Sequence, residues 1–420
     1  MNYYRITEDI ILICDRNIQY EISEYLSDKD YLYDELIKPS DKIFYLIDKN
    51  PDLFRRSYLV DRPELLDYVA EDILLLNRNS DIDISTIDKQ LLELIANHQV
   101  TALNISYPNW VDCLYKDDLP LERPVKLNIV GLGDVGGTLL TGLKLLGSDF
   151  INTIGIYDKD ANKMLRYEQE MQQIHFDETI MPKVKILDES EIFNCDILAF
   201  TVASFIPPVG SEVIDVRMAQ LEHNSKIINI YAKLARNAKF KGLFAILSDP
   251  VDQLCKVAFD TSNTNDNGVK DFNGLASDQI KGFGLGVMHA RAVYHSKNNP
   301  QYKNYLREGR AYGPHGKGLV IANSIENYDE TLSQELTQLT IESNLAVRAL
   351  GYKPYIAPAL SSGCLSLLAT IHGEWHYSSV YFGGKFVGCK NRHTKNGVEI
   401  ETLKLPELLI NRLQETYASL

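Results

Sequence analysis

Residues 125–160 read "VKLNIVGLGDVGGTLLTGLKLLGSDFINTIGIYDKD", and their reading decides the fold. An apolar run from Leu127 to Val130 reaches Gly131-x-Gly133-x-x-Gly136 and passes straight into a helical stretch. A second apolar strand, "TIGIYD", ends at Asp158, 22 residues after the third glycine. A lone glycine pattern of this kind is weak. Here it has a strand before it, a helix after it and an acid at the tip of the next strand, the context of a dinucleotide-binding βαβ unit. Gly131 permits the tight turn, Gly133 lets a pyrophosphate approach the backbone, and Gly136 allows the helix to lie close to the strand. Asp134 and Val135 open the helix whose unpaired N–H groups face the phosphates. Asp158 is placed to accept the ribose hydroxyls, and its charge would repel a 2′-phosphate, so the expected cofactor is NAD rather than NADP.

Working outward, a helix through "ANKMLRYEQEMQQI", the strand "CDILAFTVA", a proline-bearing loop "SFIPPVGSEVID", a further helix and the strand "GLFAILSDPVD" follow in order. Residues 123–255 thus predict a Rossmann-type, doubly wound parallel sheet. Residues 1–122 alternate short apolar strands ("DIILICD", "KIFYLID", "RRSYLVD", "VTALNIS") with helical, acidic stretches, "PELLDYVAEDILLLNR" and "DISTIDKQLLELIANH". They read as a small α/β domain, separated by the charged, proline-bearing linker "YKDDLPLERP". Residues 256–420 remain as a third domain. The class is α/β.

A chain of 420 residues with a formal net charge of −14 argues against a protein whose main work is holding a nucleic-acid backbone, which needs clustered Lys and Arg. The first residues, "MNYYRITEDIILICDRN", carry no basic n-region and only a short apolar run. No later run approaches a membrane span. A cytoplasmic location without membrane attachment is expected. The six cysteines are scattered and form no CxxC pair, which predicts free thiols and no metal site.

The motifs "VGLGDVGG", "YDKD", "FTVAS", "LSDPVDQL", "GFGLGVMHAR", "GPHGKG" and the closing run "GGKFVGCKNRHTKNGVEIETLKLPELL", taken in order, resemble the lactate/malate dehydrogenase family over residues 125–420. The resemblance implies that residues 256–420 form an α+β substrate and catalytic domain after the Rossmann-type sheet, and that the chain transfers a hydride between NAD and a 2-oxo or 2-hydroxy acid. It also implies a homo-oligomer. By the same resemblance His315, in "GPHGKG", answers to the general acid and base, a task suited to imidazole at physiological pH. Arg291, in "MHAR" and 24 residues before His315, answers to the arginine that grips the substrate carboxylate with paired hydrogen bonds. Arg217 answers to the mobile-loop arginine that polarises the carbonyl oxygen, on a segment able to hinge.

Three departures bear on the chemistry. The family's aspartate that orients the catalytic histidine falls at Met288, and a thioether cannot hold an imidazolium by charge. Asp249 replaces the asparagine of the N-P-V-D motif and offers acceptors only. Two explanations stand open: Asp249 pairs with His315 in place of the missing aspartate, or it receives N–H donors from an amine or imine substrate. His289, next to Met288, is a further candidate partner. The third departure is the apolar loop at Phe205, Ile206, Pro207 and Pro208, which favours a monoacid with an apolar side chain over a dicarboxylate. His372 and His376 are spaced i, i+4, but the glycine between them argues for structural roles. The insertion "DTSNTNDNGVKDFNG" reads as a flexible surface loop.

The favoured reading is therefore an NAD-dependent oxidoreductase acting on a 2-oxo/2-hydroxy monoacid or related imine. The alternative is a catalytically inactive NAD-binding sensor or scaffold. A glycosidase using NAD on a related fold is the weakest option, since no cysteine–histidine metal motif is evident. For residues 1–122, binding a protein partner, delivering a carrier-bound substrate and mediating oligomerisation all stay open.

Overall fold

The computed structural model describes residues 1–15, 18, 22–23, 37–78, 85, 87–117, 119–177, 179–203 and 216–420, the last span without the side chains of residues 216–219. Among these residues the N-terminal unit is a five-stranded sheet: β1 (Asn2–Arg5), β2 (Ile10–Cys14), β3 (Lys42–Ile47), β4 (Ser57–Leu59) and β5 (Val100–Asn104), in the order β1-β2-β3-β5-β4. The inner strands β2, β3 and β5 run parallel, and β1 and β4 close the edges antiparallel. Apolar residues dominate the inner strands because both faces of the sheet are covered. Helix α1 (Lys89–Ala96) starts where the Asp88 carboxylate accepts the Gln90 and Leu91 N–H groups.

The stretch expected as one helix over residues 63–78 is instead two short 3₁₀ turns, Pro63–Leu65 and Ile73–Leu76. Glu71 is turned into the core, where its carboxylate meets the Arg55 guanidinium, and Asp72 then caps a new turn. A buried ion pair here overrides the helical spacing of the leucines.

The second sheet has nine strands. Six are parallel: β6 (Val125–Val130), β7 (Ile151–Tyr157), β8 (Lys183–Ile186), β9 (Ile197–Phe200), β10 (Leu243–Ile246) and β11 (Ile280–Gly282). Their order is β8-β7-β6-β9-β10-β11, the doubly wound order in which the chain reverses direction beside β6 and opens a crevice at the carboxyl ends of β6 and β9. Helices α2 (Asp134–Leu146), α3 (Ala161–Gln172), α4 (Val216–Asn237), α5 (Val251–Ser262) and α6 (Leu285–Asn298) alternate with or follow these strands. One core lies between the sheet and α2, with Leu139, Leu140 and Leu143. The other lies between the sheet and α4 and α5, with Ile228, Ala232, Leu254 and Ala258.

The C-terminal part adds a short helix α7 (Tyr305–Glu308) and the two-stranded hairpin β12 (Arg310–Tyr312) and β13 (Val320–Ala322). Helix α8 (Glu330–Ala349), a π-helical turn (Pro358–Cys364) and helix α9 (Leu365–His372) follow. Strands β14 (His376–Phe382), β15 (Lys385–Thr394) and β16 (Gly397–Ile400) and helix α10 (Glu407–Ser419) end the chain. Strand β14 joins β11 antiparallel, so β14, β15 and β16 extend the doubly wound sheet itself. The expected division at residue 255 falls inside α5, and one sheet serves both parts.

The insertion at residues 260–274 is anchored, unlike the free loop its composition suggests. Arg236 holds Asp271 through two hydrogen bonds of 2.7 Å, and Lys270 meets Asp52 of the N-terminal unit and Asp260. The Phe272 ring lies 5.9 Å from that of Tyr107. Just beyond the insertion, Asp278 adds a paired contact with Arg56 at 2.9 and 2.6 Å, so the insertion and the turn after it form a seam against residues 1–122.

Candidate active site

The crevice at the carboxyl ends of β6 and β9 is a cavity of about 660 Å³, a size suited to a small ligand or cofactor. The glycine-rich turn forms one side of it. Gly131 adopts φ +95°, a left-handed conformation that a side chain would strain. At Gly136 a Cβ would stand 1.9 Å from the Gly131 carbonyl oxygen, so only glycine lets α2 approach the turn. At Gly133 a Cβ would meet nothing within 4 Å, which leaves its bare backbone facing open space where a phosphate would sit. Gly131, Gly133, Asp134, Val135 and Asp158 all line the cavity, whereas Gly136 faces the strand. These residues fit a dinucleotide.

Asp158 is already organised. One carboxylate oxygen accepts the Leu132 N–H at 2.7 Å, the other accepts the Asp160 N–H at 3.0 Å, and Lys163 Nζ lies 3.2 Å away. Burial would raise its carboxyl, but those donors and the Lys163 charge outweigh burial and hold it below the ordinary carboxylate range. Lys163 also lines the cavity, so Asp158 presents a partly neutralised charge there.

Opposite the turn, His315 sits in the loop between β12 and β13. Its Nδ1 lies 2.9 Å from Asp249 Oδ1, and its backbone N–H donates to Asp252 Oδ2 at 2.9 Å. The Ser379 hydroxyl donates to the other Asp252 oxygen. Burial pushes the Asp252 carboxyl above its ordinary range despite these donors. Gly284 makes room for the histidine: a Cβ there would stand 2.8 Å from His315 Cβ. Asn224 Nδ2 on α4 donates to the Asp249 carbonyl at 2.7 Å and so fixes the residue that faces His315.

The geometry thus brings Asp249, not Met288, to the histidine. Arg291 lies against Met288, with Nη1 3.6 Å from the sulfur, and lines the same cavity. Burial lowers its guanidinium while the Asp249 charge opposes that effect, which places the arginine in the field of Asp249. His289 is not a partner of His315. Its Nδ1 meets the Tyr305 hydroxyl at 2.8 Å, its ring stacks on Tyr377, and burial lowers it to about 4, so it is a neutral, half-buried packing residue.

Arg217 lies near the start of α4, its side chain outside the described residues, as is the loop carrying Phe205, Ile206, Pro207 and Pro208. His376 bonds to Thr370, Ser378 and the Glu374 carbonyl, and the His372 ring lies against Phe150. Among the described residues no His, Cys, Asp or Glu group could hold a metal ion, and the six cysteines are free. No helix there is long and apolar enough to cross a membrane.

Sequence reading singled out neither Asp252 nor Ser379 as support for His315, nor Arg348 and Lys353 on the cavity wall. The last residue of "SDPVD" was a signal for Asp252. The other residues come from distant segments with no local pattern.

No protein-family model matches the chain, and no curated protein matches it by sequence. Solved structures match by fold. A lactate dehydrogenase from a Medee basin deep-sea metagenome library has a TM-score of 0.56 at 17% identity, covering 71% of this chain and 96% of that one. The minor L-lactate dehydrogenase of Enterococcus mundtii matches with a TM-score of 0.56 at 18% identity, over 71% and 96%. Malate dehydrogenase from Plasmodium falciparum matches with 0.56 at 17%, over 70% and 95%. The chain therefore has the fold of lactate and malate dehydrogenases.

Proposed function

We propose that this chain is an NAD-dependent oxidoreductase acting on a 2-oxo or 2-hydroxy monoacid, or a related imine. The observation that carries the reading is the 2.9 Å contact of His315 Nδ1 with Asp249, in the cavity that also holds the glycine turn and Arg291. A carboxylate is acceptor-only, so Asp249 keeps the proton on Nδ1 and leaves Nε2 to give or take a proton at the substrate oxygen or nitrogen. Asp252 pins the backbone of the same residue, which limits its travel. Arg291 is placed to bind the substrate carboxylate, and Arg217 is assigned to polarise the carbonyl oxygen. Gly131, Gly133, Asp134 and Val135 would hold the pyrophosphate and Asp158 the ribose. When bound, the nicotinamide supplies the two-electron redox chemistry.

The sensor or scaffold reading drew its support from Met288, which leaves the histidine without its usual aspartate, and from Asp249 in place of the substrate-binding asparagine. Asp249 at hydrogen-bond distance weakens the first ground. The substrate is proposed to be a small carboxylate, and the assembly a homo-oligomer.

The test is NADH oxidation against a panel of 2-oxo acids, with and without ammonia, with His315→Asn as control. Turnover that disappears in the variant while NADH binding persists supports the proposal. NADH binding without turnover on any panel member sinks the catalytic reading.

A further inference from the structure

A second cavity, of about 590 Å³, lies at the other end of the sheet, where β6, β9 and β10 begin, and is closed on one side by the N-terminal unit. On a chain of net charge −14, its lining holds Lys116, Arg123, Lys126, Lys239 and Lys241. The acids there are largely spoken for: Asp196 is held by Arg123 at 2.7 and 2.9 Å, Asp278 by Arg56, and Asp117 by Lys42 at 3.2 Å. Lys241 pairs with Asp112 at 3.0 Å, whereas Lys126 and Lys239 make no ion pair among the described residues. An adjoining hollow of about 620 Å³ shares Lys116, Lys239 and Lys241, so the cationic rim continues outward.

The inner wall differs in character. Leu119, Phe193, Phe240 and Val398 supply apolar surface. Beside them His393 is only 7% exposed, and its buried Nε2 has no hydrogen-bond partner. Burial, with Lys281, His376 and Lys116 nearby, holds that ring neutral. A buried polar atom without a partner is costly unless something fills the role, and here it stands beside a hollow ringed by cations.

We infer that this cavity is a binding site for a small organic anion with an apolar body, its acid group held by Lys126 and Lys239 and its body against Phe193 and Phe240. The site is separate from the dinucleotide crevice, which opens at the opposite ends of the same strands. Its ligand would touch Ser57 and Lys116 of the N-terminal unit as well as the nucleotide-binding sheet, giving residues 1–122 a ligand-dependent contact with the rest of the chain.

The probe is 8-anilinonaphthalene-1-sulfonate, titrated by fluorescence into the full chain with NADH saturating, so that the crevice is blocked. Saturable binding with one site per chain is expected, displaced by 1-naphthoate. In the double variant Lys126→Gln/Lys239→Gln, the first half-buried and the second exposed on the rim, affinity is expected to fall about tenfold or more on losing two charge-assisted contacts. Its NADH affinity and melting temperature should stay unchanged. Absence of saturable binding, equal affinity in the variant, or displacement by hexaglutamate but not by naphthoate would each overturn the assignment, the last because charge alone would then suffice.

Discussion

Replacing Asp249 by asparagine tests the central geometric claim, because it keeps shape and an acceptor oxygen while removing the charge beside His315. The contact is 2.9 Å, but the Asp249 side chain is about half exposed. Water therefore screens it, and the full low-dielectric Coulomb energy does not apply. A hydrogen bond to a charged group contributes about 1.5–3 kcal/mol and a neutral one about 0.5–1.5, so the substitution should cost about 1–2 kcal/mol of imidazolium stabilisation. At 1.36 kcal/mol per tenfold, that is a loss of about 5- to 30-fold in the proton-transfer step. The assay is kcat and kcat/KM for NADH oxidation on the best 2-oxo acid, repeated with ammonia present. If turnover of the keto acid holds while preference moves from imine toward keto acid, Asp249 reads the substrate rather than the histidine. If neither changes, both accounts of Asp249 fail.

Other outcomes follow from single contacts. Gly284→Ala puts a methyl 2.8 Å from His315 Cβ and should lower kcat about 10- to 100-fold with little change in NADH affinity; wild-type turnover would contradict the placement of the histidine. Lys281 is fully enclosed and burial lowers it to about 7. Between that value and its ordinary value near 10.4 the unfolded chain binds the extra proton, so stability should rise with pH by about 2 kcal/mol from pH 7 to 9. Lys281→Met should remove this dependence and stabilise the protein at neutral pH, as read by denaturant unfolding; an unaltered pH slope would refute it. Arg55→Met strands the Glu71 carboxylate in the core and should cost about 3–5 kcal/mol. Adding Glu71→Gln should recover much of that loss, and a double variant no better than the single would show the pair is not the cause.

Much was legible from local pattern. The turn from Gly131 to Gly136 and the acid at Asp158 depend on neighbours within one βαβ unit, and backbone sterics there leave few other readings. The strands β2, β3, β5, β6, β7, β9 and β10 show as short apolar runs because both faces of each sheet are covered, whereas the edge strand β8, "KVKI", alternates with exposed lysines and does not. Residues 63–78 misled for the converse reason: their leucine spacing suits a helix, but Glu71 is claimed by Arg55, a contact no helical window contains. The insertion after Cys255 looked free because its polar side chains have no partners in sequence, whereas Asp52, Arg236 and Tyr107 supply them in space.

The sequence by itself determined the doubly wound half, the candidate residues His315, Asp249 and Arg291, and the doubt raised by Met288. It left two roles open for Asp249. Only the tertiary structure decided which neighbour that carboxylate has, because residues 249 and 315 meet through the docking of a hairpin onto the start of α5, held by Asp252 and opened by the missing side chain of Gly284. The same holds for the cationic cavity beneath the sheet. Its lysines are scattered from Lys116 to Lys241 along the chain, and it exists only where two sheets are brought together.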